Sequence, residues 1–161
     1  MTITQEQATW FAQTFAQIAD NVERAVLGKR HVVELVLTAM LSDGHVLLED
    51  VPGTGKTSLA RAIAQSVQGT NTRIQFTPDL LPGDITGISV YDQKQGVFEF
   101  HAGPIFANIV LADEINRAPA KTQAALLEVM QERRITIEGE SFELAPPFVV
   151  LATQNPLDQE G

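Results

Sequence analysis

At 161 residues the chain has the length of one domain, and 44% apolar with 19% charged residues is enough to bury a core and is unlike a disordered chain. Eleven basic against twenty acidic residues leave a net charge of −9, which opposes sequence-independent binding to a phosphate backbone and argues against a nucleic-acid partner. No apolar run is long enough to cross a bilayer, and the opening MTITQEQATW lacks the basic-then-apolar form of a secretory signal. The absence of cysteine excludes disulfides and thiolate metal sites and fits a cytoplasmic location.

Taken in chain order, Phe11, Phe15, Ile18, Val22 and Val26 recur at spacings of three or four, which predicts a helix with one core-facing stripe stopping near Leu27-Gly28. Trp10, Phe11 and Phe15 are expected to face the core. A second helix uses Val32, Leu35, Val36, Ala39 and Met40 and closes at Ser42-Asp43-Gly44. The period then changes. His45–Glu49 is a short apolar run between turn signals, the profile of a buried strand in a parallel sheet. Residues 51–55 form a loop by composition, and Ser58–Gln68 reads as a helix. Buried runs recur at Arg73–Phe76, Asn108–Asp113 and Phe148–Thr153, with a helix over Lys121–Glu132 whose inner face holds Ala125, Leu126, Val129 and Met130. Two segments alternate around glycine-bearing turns: 88–91 with 97–100, and 134–138 with 141–144 around Gly139-Glu140. Strands alternating with helices predict one α/β domain with a mainly parallel sheet, flanking helices and two β-hairpin insertions.

Between the strand at 45–49 and the next helix stands Pro52-Gly53-Thr54-Gly55-Lys56-Thr57-Ser58. Nucleoside triphosphate carries dense negative charge that has to be held without water. A loop poor in side chains lets the backbone N–H groups of Gly53, Thr54, Gly55 and Lys56 turn inward around phosphates, and the following helix adds the positive end of its dipole. Lys56 can reach the β- and γ-phosphates, and the Thr57 hydroxyl can bind Mg²⁺. Asp50 replaces the first glycine of the usual G-x-x-x-x-G-K-[ST] pattern, a position that serves backbone geometry and that Asp tolerates better than most residues.

The strand at 108–113 ends in Asp113-Glu114. Two carboxylates at a buried strand end need a cation nearby. Asp113 can orient the Mg²⁺ shell, partly through water, and Glu114 can polarise the water that attacks the γ-phosphate, which favours ATP hydrolysis over transfer to a substrate hydroxyl. The strand at 148–153 runs into Gln154-Asn155-Pro156, where Asn155 can hydrogen-bond the γ-phosphate or the attacking water. His31, His45 and His101 share no ligand spacing and predict no metal site. Arg117 is a candidate for facing a neighbouring subunit or solvent, and Arg133-Arg134 reads as a solvated helix end.

At these residues the sequence resembles the MoxR-type AAA+ ATPases. The resemblance is carried by Leu47 to Thr57, by Arg73 to Gly87, by Ala112 to Pro119, by Leu126 to Arg133 and by Ala152 to Pro156, and covers the chain from about Val26 onward. It implies an AAA+ core of the P-loop NTPase class in which Gly53–Ser58 is the Walker A loop, Asp113 and Glu114 form Walker B, Asn155 is sensor 1 and Leu27-Gly28 lies near the adenine. The first hairpin would be the insertion within the second helix, and the second hairpin the one before sensor 1. ATP and Mg²⁺ are the implied ligands. Such proteins resemble ring-forming, chaperone-like ATPases that mature or insert cofactors into partner proteins, often beside partners with a von Willebrand factor A domain. A nucleotide-gated binding module without turnover and a magnesium-chelatase-like motor are the alternatives. The family runs on through a fifth strand, an arginine finger and a helical lid, none of which follows Gly161, and its sheet order implies that the strand at 45–49 lacks one neighbour and exposes an edge. The chain therefore reads as a partial core, with helices over 1–44 and the P-loop sheet through sensor 1 over 45–161. These residues are expected to hydrolyse ATP weakly or not at all when isolated.

Overall fold

A computed structural model of the chain describes residues 3–49 and 55–154. It opens with two helices, α1 (Gln5–Glu23) and α2 (Arg30–Leu41). α1 begins at a reciprocal cap: Thr4 Oγ1 accepts the Gln7 N–H at 3.2 Å, and Gln7 Oε1 accepts the Thr4 N–H at 3.0 Å. Its buried residues, Ala19 and Val22, lie toward its carboxyl end, where Phe15 and Ile18 also touch the core. Trp10 and Phe11 are 65% and 50% exposed, contrary to the expected core-facing stripe, because nothing among the described residues covers the first turns of the helix. In α2 the buried set is Val33, Val36, Leu37 and Met40, while Leu35 is exposed. This helix is apolar on several sides, so spacing placed Val36 and Met40 on the inner face but missed Val33 and Leu37.

The chain continues through β1 (Val46–Glu49), α3 (Lys56–Ser66), β2 (Asn71–Gln75), the short α4 (Pro82–Thr86), β3 (Gly87–Asp92) and β4 (Val97–Ala102). It then forms β5 (Ile109–Asp113), a 3₁₀ turn (Ile115–Arg117), α5 (Ala120–Glu132), β6 (Arg134–Ile137), β7 (Glu140–Glu143) and β8 (Val149–Gln154). Four strands make one parallel sheet in the order β1-β8-β5-β2. The two central strands are buried until their last residue, and their side chains alternate between two cores. Ile109, Leu111, Val149 and Leu151 join the cluster containing Val22, Val36 and Ile63, on the side of α1, α2 and α3. Val110, Ala112, Val150 and Ala152 join Leu126 and Val129 of α5 on the other side. The result is an α/β sandwich with helices on both faces of the sheet.

Strand β1 is less buried than its apolar run predicts, and it has the open edge that the resemblance implies. It pairs only with β8 among the described residues, so Val46 and Leu48 are half-buried and Leu47 is 50% exposed. A short apolar run does not distinguish a central strand from an edge. Because all four strands run parallel, their carboxyl ends meet at one rim. That rim is where α/β sheets hold ligands.

The two predicted hairpins are present as the antiparallel pairs β3–β4 and β6–β7. The second turns at Glu138-Gly139, one residue before the expected position, with φ of 51° and 86° as a two-residue type I′ turn requires. At the base of the first, Gly87 has φ +98, and a Cβ there would lie 2.3 Å from the His101 carbonyl oxygen. Arg133 is not a solvated helix end: its guanidinium reaches the Asp43 carbonyl at 2.5 Å and its carboxylate at 3.2 Å, tying the end of α5 to the turn before β1. Among the described residues no helix is long and apolar enough to cross a membrane.

Candidate nucleotide site

Helix α3 starts at Lys56, two residues before the expected Ser58, with Gly55 as its N-cap at φ +85. A left-handed cap is accessible to glycine at no steric cost, whereas an L side chain would be strained there. Lys56, Thr57 and Ser58 are therefore the first three residues of a helix whose leading N–H groups have no partner within the helix, a natural place for an anion. Gly53 and Thr54 lie outside the described residues. Beside this helix start is a cavity of about 270 Å³, walled by Val26, Val32, Leu47 and Leu59 and reaching Gly55 and Lys56. Gly28, at φ +75, makes the turn between α1 and α2 that brings Val26 and Lys29 to the cavity wall, although it does not itself line it.

At the same rim β5 ends in Asp113, and the chain turns at Glu114, whose backbone is left-handed at φ 56 and ψ 51. Such a conformation is uncommon for a residue other than glycine, asparagine or aspartate and is held by its surroundings. The holding group is Thr153 of β8, which is 1% exposed. Its hydroxyl donates to Asp113 Oδ1 at 2.5 Å and accepts the Glu114 N–H at 2.8 Å. One side chain thus fixes both the Asp113 carboxylate and the turn that aims Glu114.

The other Asp113 oxygen, Oδ2, accepts from Arg73 Nε and Nη2 at 3.1 and 2.5 Å. Burial alone would raise the Asp113 carboxyl. The Thr153 hydroxyl, the Arg73 guanidinium and the charge of Lys56 outweigh that and hold it below the usual carboxylate range, so Asp113 is ionised at neutral pH. The involvement of Lys56 also places the helix α3 lysine and the β5 aspartate within electrostatic reach of one another. Glu114 Oε2 accepts from Gln75 Nε2 at 3.0 Å and from Arg117 Nη1 at 2.9 Å. Arg117 thus binds inside its own chain instead of pointing freely outward.

Gly55, Lys56, Asp113 and Glu114 are therefore at one rim, with Thr57 and Ser58 exposed in the first turn of α3. The expectation for Asn155 lies outside the described residues. Thr153, Arg73 and Gln75 were not assigned roles from sequence. The signal for them is the register: Gln75 pairs with Asp113, and Leu111 and Ala112 pair with Leu151 and Ala152, so Thr153 follows directly beside the Asp113 position.

The donor set fits Mg²⁺. The ion prefers oxygen ligands and is held by one or two protein groups with phosphates and water completing its shell. Asp113 is an ionised oxygen donor, and because its two oxygens already accept from Thr153 and from Arg73, it would hold the ion through water or after the Arg73 bond opens.

Residues 45–161 match the model of the ATPase family associated with various cellular activities (AAA). The chain is 56% identical over 142 residues to YeaC of Bacillus subtilis, an uncharacterised protein, covering 88% of this chain and 44% of that one. It is 54% identical over 141 residues to Chaperone MoxR1 of Mycobacterium tuberculosis, covering 88% of this chain and 37% of the relative. A crystal structure of a candidate ATPase from Cytophaga hutchinsonii superposes with a TM-score of 0.85 at 44% identity, covering 98% of this chain and 48% of the other. The chain spans less than half the length of each of these proteins. With the family match extending over most of the chain and the fold shared, the chain belongs to the AAA family of ATPases and is homologous to its MoxR-type members.

Proposed function

We propose that this chain is part of the core of a MoxR-like AAA+ ATPase that binds Mg²⁺-ATP, hydrolyses it and uses the cycle to act on partner proteins. Residues 1–161 are read as one partial core, residues 1–44 supplying helices and 45–161 the nucleotide sheet. The observation that carries the reading is the Thr153 hydroxyl joining Asp113 and Glu114 in a common rim with Lys56. A merely structural strand end has no need to hold an ionised carboxylate and a strained carboxylate-bearing turn beside a lysine at a helix start.

In this reading the N–H groups of Gly53, Thr54 and Gly55 and the Lys56 ammonium bind the β- and γ-phosphates, with Ser58 next along the helix. The 270 Å³ cavity takes the base against Val26, Val32 and Leu59, beside the turn made by Gly28. Thr57 and Asp113 would hold Mg²⁺, which when bound neutralises phosphate charge. Glu114 orients and polarises the attacking water, and Asn155 contacts the γ-phosphate or that water. In the structure Gln75 and Arg117 both donate to Glu114 Oε2, which holds the carboxylate in place at the rim. Ring assembly, a von Willebrand factor A partner, client maturation and a cytoplasmic location belong to the same proposal. Homology to a relative named as a chaperone supports the action on client proteins, while ring assembly, the von Willebrand factor A partner and the location rest on the family resemblance.

The test is Glu114→Gln in the full-length protein, with ATP binding and phosphate release measured side by side. The expected outcome is retained binding with turnover reduced at least about a hundredfold, the lower range for a lost acid–base group. Unchanged turnover would remove Glu114 from that role, and loss of binding with turnover would make it a structural residue. An intact wild-type protein that binds ATP and never turns it over would favour a nucleotide-gated module.

A further inference from the structure

The two hairpins are not independent projections. Phe100 of β4 stacks on Phe142 of β7 with ring centroids 4.0 Å apart, and Phe106 meets Phe100 edge-on at 5.7 Å. Ser89 of β3 donates to Glu138 in the turn of the other hairpin at 3.5 Å. Between them is a groove of about 100 Å³ lined by Phe98, Phe100 and Phe142, by Ile137, and by the carboxylate-bearing Glu138 and Glu140. Phe98, 61% exposed, stands at its outer wall against Tyr91, with ring centroids 5.1 Å apart.

We propose that this groove is a docking site for a protein segment carrying a lysine or arginine among small apolar residues. Three features select that occupant. The volume is well below the roughly 300–1,000 Å³ of small-molecule sites, and suits one side chain better than a cofactor. The aromatic floor and wall accept the aliphatic stem of a long basic side chain and attract its charge through the ring faces. The charge is one-sided: the two hairpins carry Asp92, Glu99, Glu138, Glu140 and Glu143 against Lys94 and Arg134, in a chain whose net charge is −9. Arg134 faces Glu132 at 3.8 Å, which leaves Glu138 and Glu140 to face an incoming cation. An acidic or purely apolar segment gains nothing from those carboxylates, and an anionic polymer is repelled by them. The inference rests on the proposed action on partner proteins. It requires no nucleotide, so its outcome is separate from that of the ATP site.

The experiment measures fluorescence anisotropy of the labelled octapeptide GLRGVRGL with the full-length protein in the absence of nucleotide. Comparison peptides have both arginines replaced by glutamine or by glutamate. The expected result is saturable binding that falls about three- to tenfold for the glutamine peptide and disappears for the glutamate peptide, consistent with two charge contacts at a partly exposed site. Glu138→Gln with Glu140→Gln weakens the arginine peptide by about the same factor, and Phe98→Ala weakens it about fivefold. Glu6→Gln with Glu128→Gln makes the same change in net charge elsewhere and leaves affinity within about twofold. Absent binding, equal binding of the arginine and glutamine peptides, or equal loss in the two glutamine-substituted proteins would overturn the proposal. The peptide comparison uses only the unaltered protein, so it decides the matter even where a variant fails to fold.

Discussion

Replacing Thr153 by valine removes one oxygen and keeps nearly the same shape, which makes it a direct probe of how the site is built. The hydroxyl makes two bonds that no neighbour replaces: it donates to the ionised Asp113 and accepts the Glu114 N–H. A hydrogen bond to a charged group contributes about 1.5–3 kcal/mol, and a buried N–H left without a partner costs about 1–3 kcal/mol. The two do not add fully, because Arg73 still binds Asp113 Oδ2 and Glu114 N–H is only partly buried. The expected loss at pH 7 is about 2–4 kcal/mol, read as a lower urea midpoint with an unchanged slope. Serine keeps the hydroxyl and loses a methyl group, so Thr153→Ser should cost less than about 1.5 kcal/mol. The pH dependence follows from Asp113. Its folded carboxyl lies below the ordinary value, so its stabilisation is present above about pH 4 and is lost as pH falls through the folded value. Valine at position 153 lifts that carboxyl, and the gap between wild type and variant should narrow below about pH 4. A valine variant within about 0.5 kcal/mol of wild type at pH 7, or a serine variant as unstable as valine, would refute the reasoning.

His45 predicts a second pH effect. Nδ1 accepts the Val150 N–H at 2.9 Å, so Nε2 carries the proton shared with the Met130 carbonyl at 3.1 Å, and the ring is neutral. Burial lowers its pKa, partly opposed by the Met130 carbonyl and reinforced by Arg133. Stability should therefore be complete above about pH 6.5 and decline below it, by no more than about 1.4 kcal/mol per pH unit for one proton. His45→Gln should remove that part of the slope between about pH 7 and 5 in urea titrations, and an unchanged slope would assign it elsewhere. Gly87→Ala should cost more than about 2 kcal/mol, since the new Cβ meets His101 carbonyl oxygen at 2.3 Å and the Gly103 nitrogen at 2.6 Å at φ +98. Gly139→Ala, at φ +86 with open space around it, should cost only about 1–2 kcal/mol by the same denaturation measurement.

What could be read in advance follows the range over which each signal acts. The Gly55-Lys56-Thr57 run sits where an apolar strand gives way to a helix, so sequence neighbours alone located the start of α3 to within two residues. β5 and β8 were legible because strands covered on both faces are apolar at every position. The apolar run of β1 did not show the exposure of Leu47, because edge or centre is decided by which strands flank it; the open edge was legible only through the family resemblance. The inner face of α2 was legible only in part, because its valines and leucines surround the helix: Val36 and Met40 follow from the spacing, Val33 and Leu37 do not. The roles of Arg73 and Thr153 arise from partners forty residues away in sequence, brought together only by parallel register. Trp10 and Phe11 show the reverse limit: their spacing matches a buried stripe, but the first turns of α1 have no covering surface among the described residues.

The most direct test of the central claim is calorimetric binding of Mg²⁺-ATP to the protein, beside Lys56→Ala. The account predicts saturable binding by the parent that the alanine variant loses while both unfold cooperatively. A parent that unfolds cooperatively yet takes up no Mg²⁺-ATP, or an alanine variant that binds as tightly as the parent, would contradict it.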